Sequence, residues 1–293
     1  GTLAFTVEQD ASGWVTRTSV TSVAPGESAE ATYRYASDGN VIAIDSPTVN
    51  NVGHDSLGRI TFDRGSSYSY DDAGNRLSGP GGAVVYPDPS SNRWSSAEGG
   101  TLAYAFDAAG NVTQRGALTL LTADDGTVIA LDSPADGKTR FLRDHQNLRV
   151  ATSGASGNER FVHSASGEVE LRLLEPTAEP CSTGEVREVT PVEHYVYLGG
   201  RRVAMVAGRL EGACVVGGAP VASVGESHYY FADKMDLARA VYRESDGRAV
   251  WRGELDAFGV PVGVGSDEDS DGNGVAFAQT FRLPGQQEIR GTA

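Results

Sequence analysis

The stretch Tyr68-Ser-Tyr-Asp-Asp-Ala-Gly-Asn-Arg-Leu77 decides how the rest of the chain is read. Successive side chains of a strand point to opposite sides, so Tyr68 and Tyr70 share one face. Asp71-Asp-Ala-Gly-Asn75 reads as a tight turn, and Arg76-Leu77 opens the return strand. Gly74 and Asn75 are the residues best suited to the positive φ that a short hairpin turn requires. A single hairpin is marginally stable in water, so the unit needs neighbours.

The neighbours are degenerate copies of the same phrase. Upstream stand Tyr33-Arg-Tyr-Ala-Ser-Asp-Gly-Asn-Val-Ile42 and His54-Asp-Ser-Leu-Gly-Arg-Ile60. Downstream stand Tyr104-Ala-Phe-Asp-Ala-Ala-Gly-Asn-Val112 and Leu121-Thr-Ala-Asp-Asp-Gly-Thr-Val-Ile129. In the copy at 104–112, Tyr104, Phe106, Asp107, Gly110 and Asn111 fill the motif positions. Worn copies follow at 141–149, 161–169, 242–250 and 255–260. Gly39, Gly58 and Gly74 are 19 and 16 residues apart, a period that marks a repeat architecture in which each unit buries its apolar face only against the next. Strand patterning and glycine turns recur while no amphipathic helical stretch competes, so the expected fold is all-β, a tandem array of hairpins. Lys234–Tyr242 reads equally as a short helical turn or as strand.

At these residues the sequence resembles the YD-repeat, or RHS-repeat, family, whose signature is aromatic-x-Tyr/Phe-Asp-x-x-Gly-Asn/Arg-Leu/Val. The C-terminal order of phrases is similar to the conserved core of RHS proteins. It runs His228-Tyr-Tyr-Phe-Ala-Asp233, Ala238-Arg-Ala-Val-Tyr242, Asp246-Gly-Arg-Ala-Val-Trp-Arg252, Leu255-Asp-Ala-Phe-Gly259 and Phe281-Arg-Leu-Pro-Gly-Gln286. The resemblance spans roughly residues 30–286. It implies a long sheet that spirals into an open or partial shell, around a toxin or at a cell surface. Two departures stand out. Asp233-Lys-Met-Asp236 replaces the family's Asp-His-Leu-Gly, and the Asp-Pro-x-Gly pattern of the family's self-cleavage segment is absent; the one Asp-Pro, Asp88-Pro89, lies in a connector between repeats.

Bulk properties agree with a secreted or surface wall. Acidic residues outnumber basic ones 39 to 24, giving a formal net charge of −15, which repels nucleic-acid phosphates. No run of about 18 apolar residues offers a membrane span. The N-terminus begins directly in strand-like sequence without a signal-peptide pattern, and the chain reads as a segment of a longer protein.

Three segments follow. Residues 1–174 are the hairpin array. Residues 175–226 hold the hairpin Glu193–Val206, turned at Gly199-Gly200, between two Pro/Gly/Glu-rich insertions expected as loops. Residues 227–293 are the core-like segment. Each insertion carries one of the two cysteines, Cys181 and Cys214, and both leave the same end of the hairpin. A disulfide, which would suit a secreted protein, and two free thiols both remain open readings.

Chemistry is sparse. The five histidines fall in different repeats without ligand spacing, and no nucleophile elbow or paired-histidine zinc motif occurs. The carboxylates are mostly repeated turn aspartates such as Asp71 and Asp107, which ordinarily bond their own backbone. The tyrosines read either as wall packing or as a carbohydrate-binding surface. Asp267-Glu-Asp-Ser-Asp-Gly-Asn-Gly274 matches the first half of a calcium loop through Asp267, Asp269 and Asp271, with the Asn273 carbonyl as a further oxygen, yet position 12 is Ala278. Weak Ca²⁺ binding at best is expected there. The sequence therefore points to a non-enzymatic shell segment with no required cofactor, partnered by the rest of its own polypeptide or an enclosed toxin. Surface glycans are the alternative partner.

Overall fold

A computed structural model describes residues 2–45, 49–88, 90–155, 157–214, 218–234, 236–255 and 261–277. The core phrases Asp256–Gly259 and Phe281–Gln286, and Ala278 at the twelfth loop position, lie outside them.

Among the described residues the fold is all-β, built from antiparallel sheets that are not closed into a barrel. The first sheet has seven strands in chain order: β1 (Leu3–Gln9), β2 (Val15–Ser22), β3 (Ala29–Tyr35), β4 (Val41–Asp45), β5 (Val49–His54), β6 (Ile60–Asp63) and β7 (Ser66–Ser67). A small three-stranded sheet follows, made of β8 (Ser69–Tyr70), β9 (Arg76–Gly79) and β10 (Gly82–Ala83).

The third sheet has sixteen strands. It opens with β11 (Ser96–Ala97), β12 (Leu102–Phe106), β13 (Val112–Arg115), β14 (Leu118–Thr122) and β15 (Val128–Ser133). It continues through β16 (Gly137–Arg143), β17 (Arg149–Gly154), β18 (Gly157–His163), β19 (Val169–Leu173) and β20 (Thr177–Pro180). The long pair β21 (Val186–Leu198) and β22 (Arg201–Glu211) leads to β23 (Val221–Ala232), β24 (Ala238–Arg243), β25 (Ala249–Leu255) and β26 (Pro261–Asp267). Strand pairing carries directly from β19 to β21 and from β22 to β23, across positions 174 and 226.

One turn is stamped along the chain. At Asp71 the backbone N–H bonds the Asn75 carbonyl at 2.9 Å, and the Gly74 N–H returns to the Asp71 carbonyl at 3.1 Å. Gly74 has φ 90°, the left-handed conformation of a hairpin loop that ends in a bulge. The same pair of bonds closes turns opening at Asp10, Ala36, Asp55, Asp107, Ala123, Asp144, Ser164, Cys181 and Asp233. The worn copies thus keep the full geometry: Asn147, with φ 63°, takes the glycine's place in the turn from Asp144. Asp10-Ala-Ser-Gly-Trp14 is a copy that the sequence reading missed.

The structure corrects the role of Asn75, which does not adopt positive φ. Its backbone N–H bonds Asp71 Oδ1 at 2.7 Å and its Nδ2 donates to Asp71 Oδ2 at 2.8 Å. The first and last turn residues clamp each other, and only the fourth needs the left-handed conformation. Asn111 repeats both bonds to Asp107, at 2.8 and 2.9 Å.

Neighbouring units are tied in two ways. The tyrosine just before one turn donates its hydroxyl to the carbonyl just after the preceding turn on the same edge. Tyr35 reaches Val15 O at 2.5 Å, Tyr70 reaches Ile60 O at 2.7 Å, and Tyr197, before its glycine turn, reaches Val169 O at 3.1 Å. In addition, the last side chain of one turn covers the bare left-handed residue of the next. A Cβ on Gly39 would sit 3.4 Å from the Trp14 ring, and one on Gly126 would meet Asn111 Oδ1 at 2.8 Å. Period-2 alternation buries the other motif aromatic: Tyr33, Tyr68, Phe141, Phe161 and Tyr230 all lie in the core.

Two further expectations are corrected. The stretches 175–192 and 207–226 are largely strand rather than loop. Val189 pairs with Glu211 and Thr190 with Leu210, so the central hairpin runs on to Glu211. Buried Val189 and the Arg187–Glu211 ion pair at 2.5 Å hold this extension without aromatics. At Lys234–Tyr242 the chain makes a repeat turn and then β24, not a helical turn.

Candidate functional site

The seam where the chain returns on itself is the candidate site. β1–β3 lie against one face of β23–β25, and Val20, Phe231, Ala240, Tyr242 and Ala249 form a buried cluster there, joined by Leu3 and Ala29. The facing positions are small or aliphatic, which lets two twisted sheets approach. Polar contacts fix the register between segments 190 or more residues apart. Ser22 Oγ donates to Gly247 O at 2.6 Å, and Thr2 Oγ1 donates to Glu244 O at 2.7 Å. Glu27 meets Arg252 at 2.5 Å, and Arg64 meets Glu254 at 2.8 Å.

Deep in the seam, the turn Asp233–Leu237, which lacks the glycine and asparagine of the 71–75 turn, is held by arginines. Asp233 is 2% exposed; its Oδ1 accepts the Leu237 N–H at 3.0 Å and its Oδ2 takes two bonds from Arg239, at 3.0 and 2.6 Å. Asp236 occupies the glycine position with φ 65°, and Arg201 pairs with it at 2.9 Å while also donating to Asp233 O. Lys234 N donates to Tyr33 Oη at 3.2 Å, and Lys234 Nζ lies 4.5 Å from the centroid of the Tyr35 ring. Burial raises the Tyr33 pKa above its ordinary value and lowers that of Lys234; in both, nearby Asp233 pushes upward more weakly.

Two cavities open along the seam, of about 600 and 230 Å³. Arg64, Asp233 and Arg239 border both. Each of these three residues is ion-paired.

The wall itself carries a second polar array. Arg172, 4% exposed, bridges Glu159 and Glu193, and Tyr195 Oη donates to Glu193. Burial, followed by the Glu193 charge, holds the Tyr195 pKa well above the ordinary phenol value. The Arg202 guanidinium stands 5.4 Å from the ring centroids of both Tyr195 and Tyr230.

The sequence-predicted residues are distributed, not convergent. Tyr68 is buried, while Tyr70 is half-buried beneath the Arg59 guanidinium at 4.7 Å. Tyr104 meets Trp94 edge-on at 5.5 Å, Phe106 is half-buried, and Arg93 lies over Gly110. Cys181 and Cys214 form a disulfide, Cα–Cα 5.7 Å. Cys181 takes the opening position of a repeat turn, so the bridge staples a turn to the end of β22.

The acidic stretch 267–274 folds as a partial copy of the repeat turn, with one of its two main-chain bonds and its side-chain clamp. Gly272 N returns to Asp269 O at 3.0 Å, and the Asn273 N–H bonds Asp269 Oδ1 at 2.9 Å, as Asn75 bonds Asp71. Asp271 Oδ2 is held by Arg243 at 2.8 Å and by Asn273 Nδ2 at 2.9 Å, and Asp267 Oδ1 accepts the Asp269 N–H at 3.2 Å. A cation there would compete with these donors for the same oxygens.

Of the seam residues, Gly247 and Arg252 lie in the phrase Asp246–Arg252, whereas Ser22 and Glu27 fall in none of the motifs, and the contact between the two segments was not read from the sequence. A trace of the contact is the small residues Ala29 and Ala240, which the two sheets bring together.

No family model and no curated protein matches the chain. Solved structures do. The Photorhabdus luminescens Tc holotoxin pore carrying TccC3-D651A matches with a TM-score of 0.60 at 15% identity, covering 89% of this chain and 14% of that one. TcdB2-TccC3-TEV matches with a TM-score of 0.67 at 14% identity over 99% of this chain and 16% of that one, and TcdB2-TccC3-Cdc42 at 0.59 and 13% over 97% and 16%. The chain thus spans about one-sixth of the length of these toxin chains, and the likeness is one of fold.

Proposed function

We propose that this chain is a non-catalytic wall segment of a repeat shell, which encloses or presents a toxin or other cargo within a larger secreted or cell-surface protein. The observation that carries the reading is the open array of repeat turns, tied turn to turn, whose last strands return against its first sheet. Such a wall is stiff along its length and needs no closed barrel to stay folded. The sequence resemblance to RHS proteins and the fold likeness to Tc toxin chains support it. The turn carboxylates are engaged by their own backbones and the seam charges are paired, which favours scaffolding over catalysis.

Limited proteolysis of the complete polypeptide tests the reading. Its remaining segments should resist digestion while the wall is intact and become cleavable when Val20→Glu and Tyr242→Glu open the seam. Cargo that is digested equally fast with the wall intact and folded would contradict it.

A further inference from the structure

The face covered at the seam continues along the long sheet, and over β14–β21 no second layer lies on it among the described residues. Cross-strand register traces it: Tyr229 lies opposite Ala204, Ala204 opposite Val196, Leu171 opposite both His194 and Val162, and Ala151 opposite both Arg160 and Leu142. At β23–β25 this face is buried under β1–β3, with the Phe5 ring 6.1 Å from that of Tyr229. Over β14–β21 its aliphatic side chains stand in solvent: Leu121 is 52% exposed, Leu142 63% and Val162 45%. Each stands two residues before a repeat turn, so they align at one level across successive hairpins. An aligned aliphatic row on one sheet face is the pattern of a layer waiting for its cover.

The charges beside this row say what the cover carries. Lys138, Arg140 and Arg160 are exposed on the same face and form no ion pair with any described residue. Elsewhere Arg17, Arg59, Arg64, Arg172 and Arg187 are each paired with a carboxylate, in a chain of net charge −15. Two exposed carboxylates share this face but stand off the row: Asp132 lies across the strand from Lys138, and Glu188 lies toward the start of β21, beyond His194 and Val192. At the covered end the face's own arginine, Arg252, receives the carboxylate of Glu27 from the covering layer, while Leu3 and Val20 fill the space between sheets.

We propose that the uncovered face of β14–β21 docks an acidic, aliphatic protein segment in extended conformation, which supplies there the second layer that β1–β3 supply at the seam. Its aliphatic side chains lie on Leu121, Leu142 and Val162, and its carboxylates meet Arg140 and Arg160. A second copy packed face to face would set those arginines against their own counterparts, so like-charge repulsion opposes that occupant. The inference stands whether or not the shell encloses a cargo.

Fluorescence anisotropy with three labelled peptides tests it: alternating glutamate–valine, lysine–valine and glutamate–serine. The glutamate–valine peptide should bind the intact chain best and weaken with added salt. The double variant Arg140→Glu/Arg160→Glu should reverse the preference to lysine–valine. Leu142→Ser/Val162→Ser should weaken glutamate–valine binding about tenfold or more. All four side chains are exposed, so unchanged melting curves certify that the fold is retained. Equal binding of glutamate–serine would reduce the face to simple ion exchange and overturn the proposal. So would absent glutamate–valine binding, indifference to both double variants, or a concentration-dependent dimer that these variants dissolve.

Discussion

The turns at 71–75 and 233–237 have one backbone and two sequences. Both close with the same pair of main-chain bonds, and in both the opening aspartate accepts the N–H of the fifth residue. The first stands at the surface and uses Gly74 for its left-handed position, with Asn75 as clamp. The second lies in the seam, places Asp236 in that position and has Leu237 where the asparagine would be. Arginines replace what the sequence lost: Arg239 grips Asp233, and Arg201 grips Asp236. The repeat is therefore specified by its bonding pattern, and tertiary partners can stand in for the residues that specify it locally.

This comparison predicts where each turn is vulnerable. Arg239→Ala should cause the largest loss, about 3–5 kcal/mol, because it strips the guanidinium from a buried carboxylate. Denaturant unfolding measures it, and a loss below about 1 kcal/mol would show that Arg239 does not hold the seam turn.

Glycine replacements rank next and sharpen the contrast among surface turns. Gly74→Val should cost about 1–3 kcal/mol, from backbone strain alone, since nothing lies within 4 Å of the added Cβ. Gly126→Ala carries the same kind of strain at φ 81° and must also displace Asn111. Thermal melts should therefore place Gly126→Ala below Gly74→Ala. The reverse order would mean that the turn-to-turn contact is unimportant.

Acid should act on the surface turns. Asn75 and Asn111 donate to the charged carboxylates of Asp71 and Asp107 and lower their pKa values. A lowered folded-state pKa contributes stability that is fully present above the unfolded value, about 3.9, and disappears as pH falls through the folded value. Stability should hold from neutral pH down to about 5 and drop below about 4. Asp71→Asn should flatten that acid limb, and an unchanged pH profile would remove Asp71 from the account. The smallest effect belongs to Asp236→Gly, within about 1 kcal/mol of the parent, because relief of the left-handed strain offsets a half-exposed ion pair. A large loss in equilibrium unfolding would make Arg201 a principal support.

Much of this fold was legible in the sequence because its specification is local. Asp71, Gly74 and their equivalents carry the turn, and alternation places Tyr68 inside. Legibility failed where one residue type can do two local jobs, and where the fold depends on contacts far apart in the chain. Asn75 was misread as a second left-handed residue because its work is a side-chain clamp. The partial repeat turn at Asp269–Asn273 went unnoticed, since Asp-x-Asp-Gly-Asn also matches the first half of a calcium loop. The extension of β21 and β22 has no aromatic signal, only Val189 and cross-strand ion pairs. The seam was invisible because Ser22 carries no motif, and Gly247, although inside the Asp246–Arg252 phrase, meets it only when the array turns back.

That return is the central claim, and nuclear Overhauser effects in isotope-labelled protein test it most directly. Cross-peaks between the rings of Phe5 and Tyr229, and between the Val20 methyls and Tyr242, are the predicted result. A protein whose strand-to-strand cross-peaks are intact but which lacks both of these contacts would show that the first sheet does not lie on the last strands.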